Sequence, residues 1–268
     1  MCDCQPKRPV SRRELLLGAA VAAPALMVAG GLRDRRGATV EALGPAVPAV
    51  EVLPGLHIYP RDAWGAELPA KGPILPETPQ FLLVHHTAST NNYANPIDVI
   101  RTTYRWHTSN DPSKGWPDVA YEFFVGRDGD VWEGRTGALA GPVRASATGG
   151  SQGFAQLVCL LGDFTSTVPT AAAQASLVKV LAWQAERLQI DTRPGATTSF
   201  ISRGSQRWPA GVRVTTRTIA GHRDMSYTSC PGDSFYPHIG ELPAKVQAQR
   251  ALWANVLKPA VRLGRVTP

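Results

Sequence analysis

Cysteine is scarce in this chain: four in 268 residues, too few and too unevenly set for a disulfide-built scaffold. Cys2 and Cys4 lie in a basic N-terminal stretch. Cys159 sits in the apolar run Gln156-Leu157-Val158-Cys159-Leu160-Leu161, where it reads as a small core residue of a buried strand. That leaves Cys230 alone in a loop. Long hydrophobic runs are also missing. The longest, Leu15 to Gly30, is broken by Gly18 and Pro24 and is short for a membrane-spanning helix. No Lys/Arg run is dense enough to track a phosphate backbone, so a nucleic-acid partner is not expected. There is no internal repeat. No His-Glu-x-x-His is present, which argues against the zinc peptidases built on that motif.

What charge there is concentrates at one end. The formal net charge is +7. Residues 1–36 carry seven basic and three acidic side chains, a net of +4, and leave +3 for residues 37–268. The basic stretch Lys7-Arg8-Pro9-Val10-Ser11-Arg12-Arg13, the apolar run behind it and the small residues that close it have the form of a secretory signal. Ser11-Arg12-Arg13-Glu14-Leu15-Leu16 resembles the twin-arginine version, which exports folded proteins. We expect a signal over 1–31, a Pro/Ala/Gly-rich linker over 32–56, one folded domain over 57–257 and a basic tail over 258–268. The mature protein is expected to be a secreted or cell-envelope monomer with no stable membrane span.

The segment Ala220-Gly221-His222-Arg223-Asp224 through Thr228-Ser229-Cys230-Pro231-Gly232-Asp233 is the most telling part of the chain. It sets an imidazole and a thiol eight residues apart. Both are good zinc ligands, and a loop brings two such groups to one ion. With one further ligand the site is open and suited to catalysis; with two it is closed and structural. Asp224 and Asp233 are further oxygen donors, although Arg223-Asp224 reads better as local loop bonding.

Around this segment the pattern is α/β. Phe81-Leu82-Leu83-Val84-His85-His86-Thr87 reads as a strand covered on both faces. Asn95 and Pro96 then open a helix with Ile97, Ile100 and Tyr104 at helical spacing. Tyr121–Val125 and Val131–Glu133 flank Arg127-Asp128-Gly129-Asp130, a hairpin signal. Leu157–Leu161 is another buried strand, Thr170 to about Gln189 a long helix, Thr218–Gly221 a short strand delivering His222, and Ala244–Leu257 a last helix. The expected fold class is α/β, a single domain with a central mixed sheet flanked by helices. His85 and His86 end the first strand, where α/β sites are built, and only one of the two faces a given cleft. His57 and His238 have no supporting context.

Six motifs occur in order: Val84-His85-His86-Thr87-Ala88; Gly115-Trp116-Pro117-Asp118-Val119-Ala120-Tyr121; Val125-Gly126-Arg127-Asp128-Gly129; Trp132-Glu133-Gly134-Arg135; Leu161-Gly162-Asp163-Phe164; and Gly221-His222-Arg223-Asp224 with Thr228-Ser229-Cys230-Pro231-Gly232-Asp233. Each is weak alone and the ordered set is specific. From about Ile58 to Lys245 the chain resembles the peptidoglycan-recognition-protein and phage-type N-acetylmuramoyl-L-alanine amidases.

The resemblance implies a Zn2+ site of His85, His222 and Cys230, a fourth position for water, and Tyr121 assisting catalysis. It also implies hydrolysis of the amide between N-acetylmuramic acid and L-alanine in peptidoglycan. Thr228 stands where relatives carry a Lys or a Thr and is expected to be catalytic. His86, His107, Trp116 and Arg135 are the expected contacts to the glycan strand and its stem peptide. The rival is a non-catalytic muropeptide-binding module of the same fold, which would lack a zinc ligand. Glu122 and Glu133 are acids or bases only if they face the cleft. The chain departs from the family at Leu139, where many members have His, and at Thr136-Gly137, where a Gly-Trp or Asn-Phe pair discriminates the stem peptide. A loop-rich insert at about Ala196–Arg213, with Phe200, Arg203, Arg207 and Trp208, is expected either to line the groove or to fold over as a surface flap.

Overall fold

The computed structural model describes residues 47–151 and 153–257. The expected signal and basic tail, with Cys2 and Cys4, lie outside the described residues. Local chemistry sets most element ends. Helix α1 is a single turn, Asp62–Gly65. Strand β3, Phe81–His86, is buried along its whole length, as its apolar run requires. Asn95 caps helix α2, Pro96–His107, by accepting from the Ile97 N–H (3.0 Å), with Pro96 in the first turn. The buried Ile100, Tyr104 and His107 follow helical spacing along one face.

Strands β4, Phe123–Val125, and β5, Val131–Glu133, form the expected hairpin. Its turn needs Gly129 at φ +88, in the left-handed region. Pairing runs on past the strands, with Gly134 and Arg135 N–H groups donating to the carbonyls of Glu122 and Tyr121. Strand β6 is Ala155–Leu160. Thr170 caps helix α3, Ala171–Leu188, by accepting from Ala173 N–H (3.1 Å), and Gln189 ends it in the left-handed conformation. Strand β9 is Ile219–Gly221, and helix α4 is Leu242–Leu257.

The central five-stranded sheet has the order β5-β4-β6-β3-β9. Strands β4, β6, β3 and β9 run parallel and only β5 is antiparallel, so the mixed α/β sheet is as expected. Leu82, Val84, Phe123, Val158 and Leu160 point to the face packed by α3 and α4. Phe81, Leu83, Phe124, Leu157 and Cys159 point to the face covered by Trp64, Ile100 and Tyr104. No described helix is long and apolar enough to cross a membrane.

Two segments differ from expectation. The end of the expected linker is structured: strand β1, Val50–Leu53, pairs as a hairpin with β2, Leu56–Ile58, which crosses the expected domain start. Leu56 and Ile58 are buried in the core, and the Trp253 indole of α4 donates to the Pro54 carbonyl (2.9 Å). The insert is not a loop throughout. Strands β7, Thr197–Ile201, and β8, Arg213–Arg217, form a second hairpin, with Phe200, Val214 and Thr216 as its buried strand residues. Its strands are mostly polar Thr, Ser and Arg, so the alternation that marks a strand is faint.

Candidate metal centre

Sheet register brings the donors together. Val84 of β3 pairs with Gly221 of β9, so His85 and His222 follow side by side at the carboxyl ends of neighbouring parallel strands. Their ring centroids are 4.2 Å apart. A 3-10 turn, His222–Asp224, then leads into the loop that returns Cys230. Arg223 N–H donates to Cys230 O (3.0 Å), and the Arg223 guanidinium bonds Asp233 Oδ1 (2.7 Å) and the Ser229 carbonyl. Asp224 Oδ2 accepts from Gly221 N–H (2.9 Å), and its Oδ1 accepts from the Tyr236 hydroxyl (2.5 Å). Arg223 and Asp224 are therefore loop braces, as expected. Gly232 has φ +104, and a Cβ there would lie 2.3 Å from the backbone of Phe164, so only glycine lets the Cys-Pro-Gly turn sit this close to the loop after β6.

Cys230 Sγ is 3.6 Å from His85 Nδ1. The ligand atoms offered by His85, His222 and Cys230 all lie within 4.8 Å of one another, and all three residues are buried. Two donors on a tetrahedral zinc are roughly 3.4–3.6 Å apart, given bonds of about 2.0–2.3 Å. His85 Nε2 and both ring nitrogens of His222 are buried without a hydrogen-bond partner. Buried polar atoms are rarely left so, and two imidazoles with one sulfur suit zinc. Burial, and then the charges His222, His86 and His107 would carry, hold His85 well below the ordinary imidazole pKa. It is therefore neutral, the form that ligates. Among the described residues no other His/Cys/Asp/Glu group has this arrangement.

The other expected site residues divide. The Tyr121 ring is buried, 5.0 Å from His85 and 5.3 Å from His107 between centroids, with Phe124 edge-on at 5.6 Å. His107 Nδ1 accepts from Ala120 N–H (3.1 Å), which leaves the proton of the neutral ring on the other nitrogen. Trp116 is 4.8 Å from His107. Rings thus run in succession from His85 through Tyr121 and His107 to Trp116. Trp116 and Arg135 line a cavity of about 260 Å³ with Leu75, Arg144 and Ser146. The buried Arg135 donates to Ser146 Oγ (2.8 Å) and Val119 O (3.3 Å). Thr228 Oγ1 accepts from Cys230 N–H (3.2 Å).

His86 does not join the site. Alternation along β3 turns its ring to the opposite face from His85, where it packs on Phe164 and Nδ1 accepts from Phe164 N–H (3.3 Å). Only its backbone reaches the centre, the N–H at 3.4 Å and the carbonyl oxygen at 4.0 Å from Cys230 Sγ. The acids are also committed elsewhere. Glu122 Oε2 accepts from Leu157 N–H (2.7 Å), and burial raises its pKa to about 8. Glu133 accepts from Arg61 N–H (2.9 Å) and Leu139 N–H (2.8 Å). Leu139 itself packs against the core. His57 and His238 face Glu51 and Glu241 at exposed positions. Cys159 is buried in β6, and no disulfide joins it to Cys230.

One supporting group had no signal in the sequence. Arg61 and Asp118, 57 residues apart, form a buried ion pair (2.9 and 3.0 Å). Asp118 also accepts from Val119 N–H and from the Thr136 N–H and hydroxyl, while Arg61 donates to Gly134 O and Leu68 O. The pair locks the segment before Tyr121 to the segment after Glu133.

A family model described as N-acetylmuramoyl-L-alanine amidase matches residues 75–233, a span that holds all three donors. The chain is 32% identical over 193 residues to a human protein named N-acetylmuramoyl-L-alanine amidase. That match covers 69% of this chain and 28% of the human protein, so the chain spans little more than a quarter of that relative. It is 25% identical over 189 residues to peptidoglycan-recognition protein SC2 of Drosophila melanogaster, covering 69% of this chain and 85% of that one. Among solved structures it is similar to Drosophila peptidoglycan recognition protein SD. There the TM-score is 0.51 at 19% identity, over 69% of this chain and 93% of the other. It is also similar to peptidoglycan recognition protein LE in complex with tracheal cytotoxin, a monomeric diaminopimelic acid-type peptidoglycan. There the TM-score is 0.50 at 25% identity, over 69% of this chain and 92% of the other.

Proposed function

The chain belongs to the N-acetylmuramoyl-L-alanine amidase family, and on that premise we propose that it hydrolyses the amide between N-acetylmuramic acid and L-alanine in peptidoglycan, using zinc held by His85, His222 and Cys230. The observation that carries this reading is the buried three-donor cluster with unpartnered imidazole nitrogens beside the Tyr121 ring. Three protein donors suit an open, catalytic zinc better than a closed, structural one. Zinc bound there would act as a Lewis acid and lower the pKa of a water molecule from about 15.7 towards ~7.

The chain's own residues account for the rest. Water adds to the lactyl carbonyl carbon, the C–N bond breaks, and the nitrogen leaves as the amine of L-alanine while the sugar keeps a carboxylate. Tyr121 donates its hydroxyl to the carbonyl oxygen as that oxygen gains charge. Thr228 Oγ1 already accepts from Cys230 N–H, so its own proton is available as a second donor towards the same oxygen. His107 packs against Tyr121 and sets where its ring lies. Trp116 and Arg135, at the cavity beyond, take the stem peptide. The domain over about residues 57–257 is exported folded through the twin-arginine route and works outside the cell membrane as a monomer.

A binding module is the second reading. The relative solved in complex with tracheal cytotoxin favours it, since a recognition protein of this fold holds a peptidoglycan fragment. The two separate in one experiment. Purified sacculi are incubated with the protein, with and without chelator, and the products are analysed by mass spectrometry. Free stem peptides that vanish on chelation are the expected result. Retention on sacculi with no peptide released would overturn the amidase in favour of the module.

A further inference from the structure

The turn that carries His222 is gripped from outside the metal centre. Neither ring nitrogen of His222 has a hydrogen-bond partner, so no side chain sets the tilt of this ring in the way an outer carboxylate or carbonyl commonly does for a metal-binding histidine. Its orientation rests on the backbone of the turn. Three successive carbonyls there accept hydrogen bonds from the loop joining β7 to β8. Arg207 Nη1 donates to Arg223 O, Trp208 Nε1 to Asp224 O (3.2 Å) and Ser205 Oγ to Met225 O (3.4 Å).

The donating loop is itself closed. Ser205 N–H donates to Trp208 O (2.8 Å), Trp208 N–H to Ser205 Oγ (2.9 Å) and Ser202 Oγ to Trp208 O (2.9 Å). At the base of the hairpin, Arg217 pairs with Asp224 Oδ2 (3.0 Å), the oxygen that also accepts Gly221 N–H. Phe200 of β7 stacks on Phe81 at 5.6 Å, at the start of the strand that ends in His85. One hairpin therefore holds the strand of one donor and the turn of another.

We propose that the β7–β8 hairpin is a brace that positions His222 for zinc, with Arg207 and Trp208 as its positioning residues. This rests on the reading of His85, His222 and Cys230 as the zinc donors. Each brace residue acts through a carbonyl of the turn. Outer partners of metal ligands typically change metal affinity about 10–100-fold when removed. Loss of one grip should then speed zinc release by about 10-fold and loss of both by about 100-fold.

The test loads the full chain with zinc and follows release to a chromogenic chelator. It compares the parent with Arg207→Ala, Trp208→Phe, the double variant and Arg207→Lys. Trp208→Phe keeps an aromatic ring on the core and removes the indole N–H with its pyrrole ring, so it reports even where Arg207→Ala does not fold. Faster release in Arg207→Ala, Trp208→Phe and the double variant is expected, with near-parent release in Arg207→Lys, which keeps a donor. The zinc-free proteins should share the parent's thermal midpoint, and the cobalt-substituted double variant should show a shifted absorption spectrum. Zinc released from Trp208→Phe and the double variant at the parent's rate, with an unshifted cobalt spectrum, would overturn the brace and leave the metal centre standing. A parent chain that takes up no zinc would overturn the metal centre and the brace with it.

Discussion

Two buried polar clusters in this molecule are finished differently. Around Asp118, both carboxylate oxygens, the two Glu133 oxygens and both Arg61 terminal nitrogens are hydrogen-bonded; within these three residues only Arg61 Nε lacks a partner. At the strand ends, three of the four ring nitrogens of His85 and His222 have none. Burial is similar in the two places. A saturated cluster is scaffold, since its polar atoms answer one another. A cluster that buries polar atoms without partners bears a cost of about 1–3 kcal/mol for each, which a bound ion would offset. That contrast separates Glu133, whose two carboxylate oxygens are both bonded, from His85 and His222.

The contrast can be broken from either side. The largest effect is expected from His222→Ala. Removing one of three donors should abolish zinc retention, measured by metal analysis after gel filtration, and lower hydrolysis of sacculi to background. Zinc kept at one per chain would break the assignment. Next, Asp118→Ala leaves Arg61 charged, buried and unpaired, so it should lower unfolding stability in denaturant by about 3–5 kcal/mol. A change under about 1 kcal/mol would remove the scaffold half of the comparison.

Tyr121→Phe tests the catalytic side more finely. It keeps the ring against His85 and removes only the hydroxyl, and it should lower turnover by about 10²–10³-fold with zinc content unchanged. Turnover equal to the parent's would take Tyr121 out of the reaction. The smallest effect concerns Glu122, whose pKa is raised from the ordinary 4.5 to about 8 by burial. Between these values the folded state binds more protons than the unfolded one, so stability falls as pH rises through this window and levels off above it. Denaturant midpoints at pH 5, 7 and 9 should show that fall in the parent and a flatter profile in Glu122→Gln. A fall of equal size in both would place its origin at another group.

Much of the frame is legible in the residues. Asn95-Pro96 starts α2 and Thr170 starts α3 through side-chain bonds two or three residues long. Asp-Gly turns the β4–β5 hairpin, and the unbroken apolar run of β3 reads at once as a covered strand. The His222–Cys230 half of the site is equally local, and ordered motifs supply His85. The second hairpin is harder to see. Thr197–Ile201 and Arg213–Arg217 bury few side chains, while Gly204, Pro209 and Gly211 between them signal a loop. Residues 50–56 read as linker because their place in the fold depends on α3 and α4, more than a hundred residues away.

The sequence by itself determined the helix caps, the turns, the types of donor and the eight-residue spacing within one loop, because each depends on neighbours a few bonds away. It also restricted His85 and His86 to opposite faces through strand alternation. Only the tertiary structure decided which of them meets His222. That choice follows from the register of β3 on β9, a pairing across more than 130 residues that sums over the whole sheet. The Arg61–Asp118 lock and the grip of Arg207 and Trp208 on the His222 turn belong to the same class. They join polar groups that have no periodicity to announce them, and they form only once the apolar core has brought their backbones together.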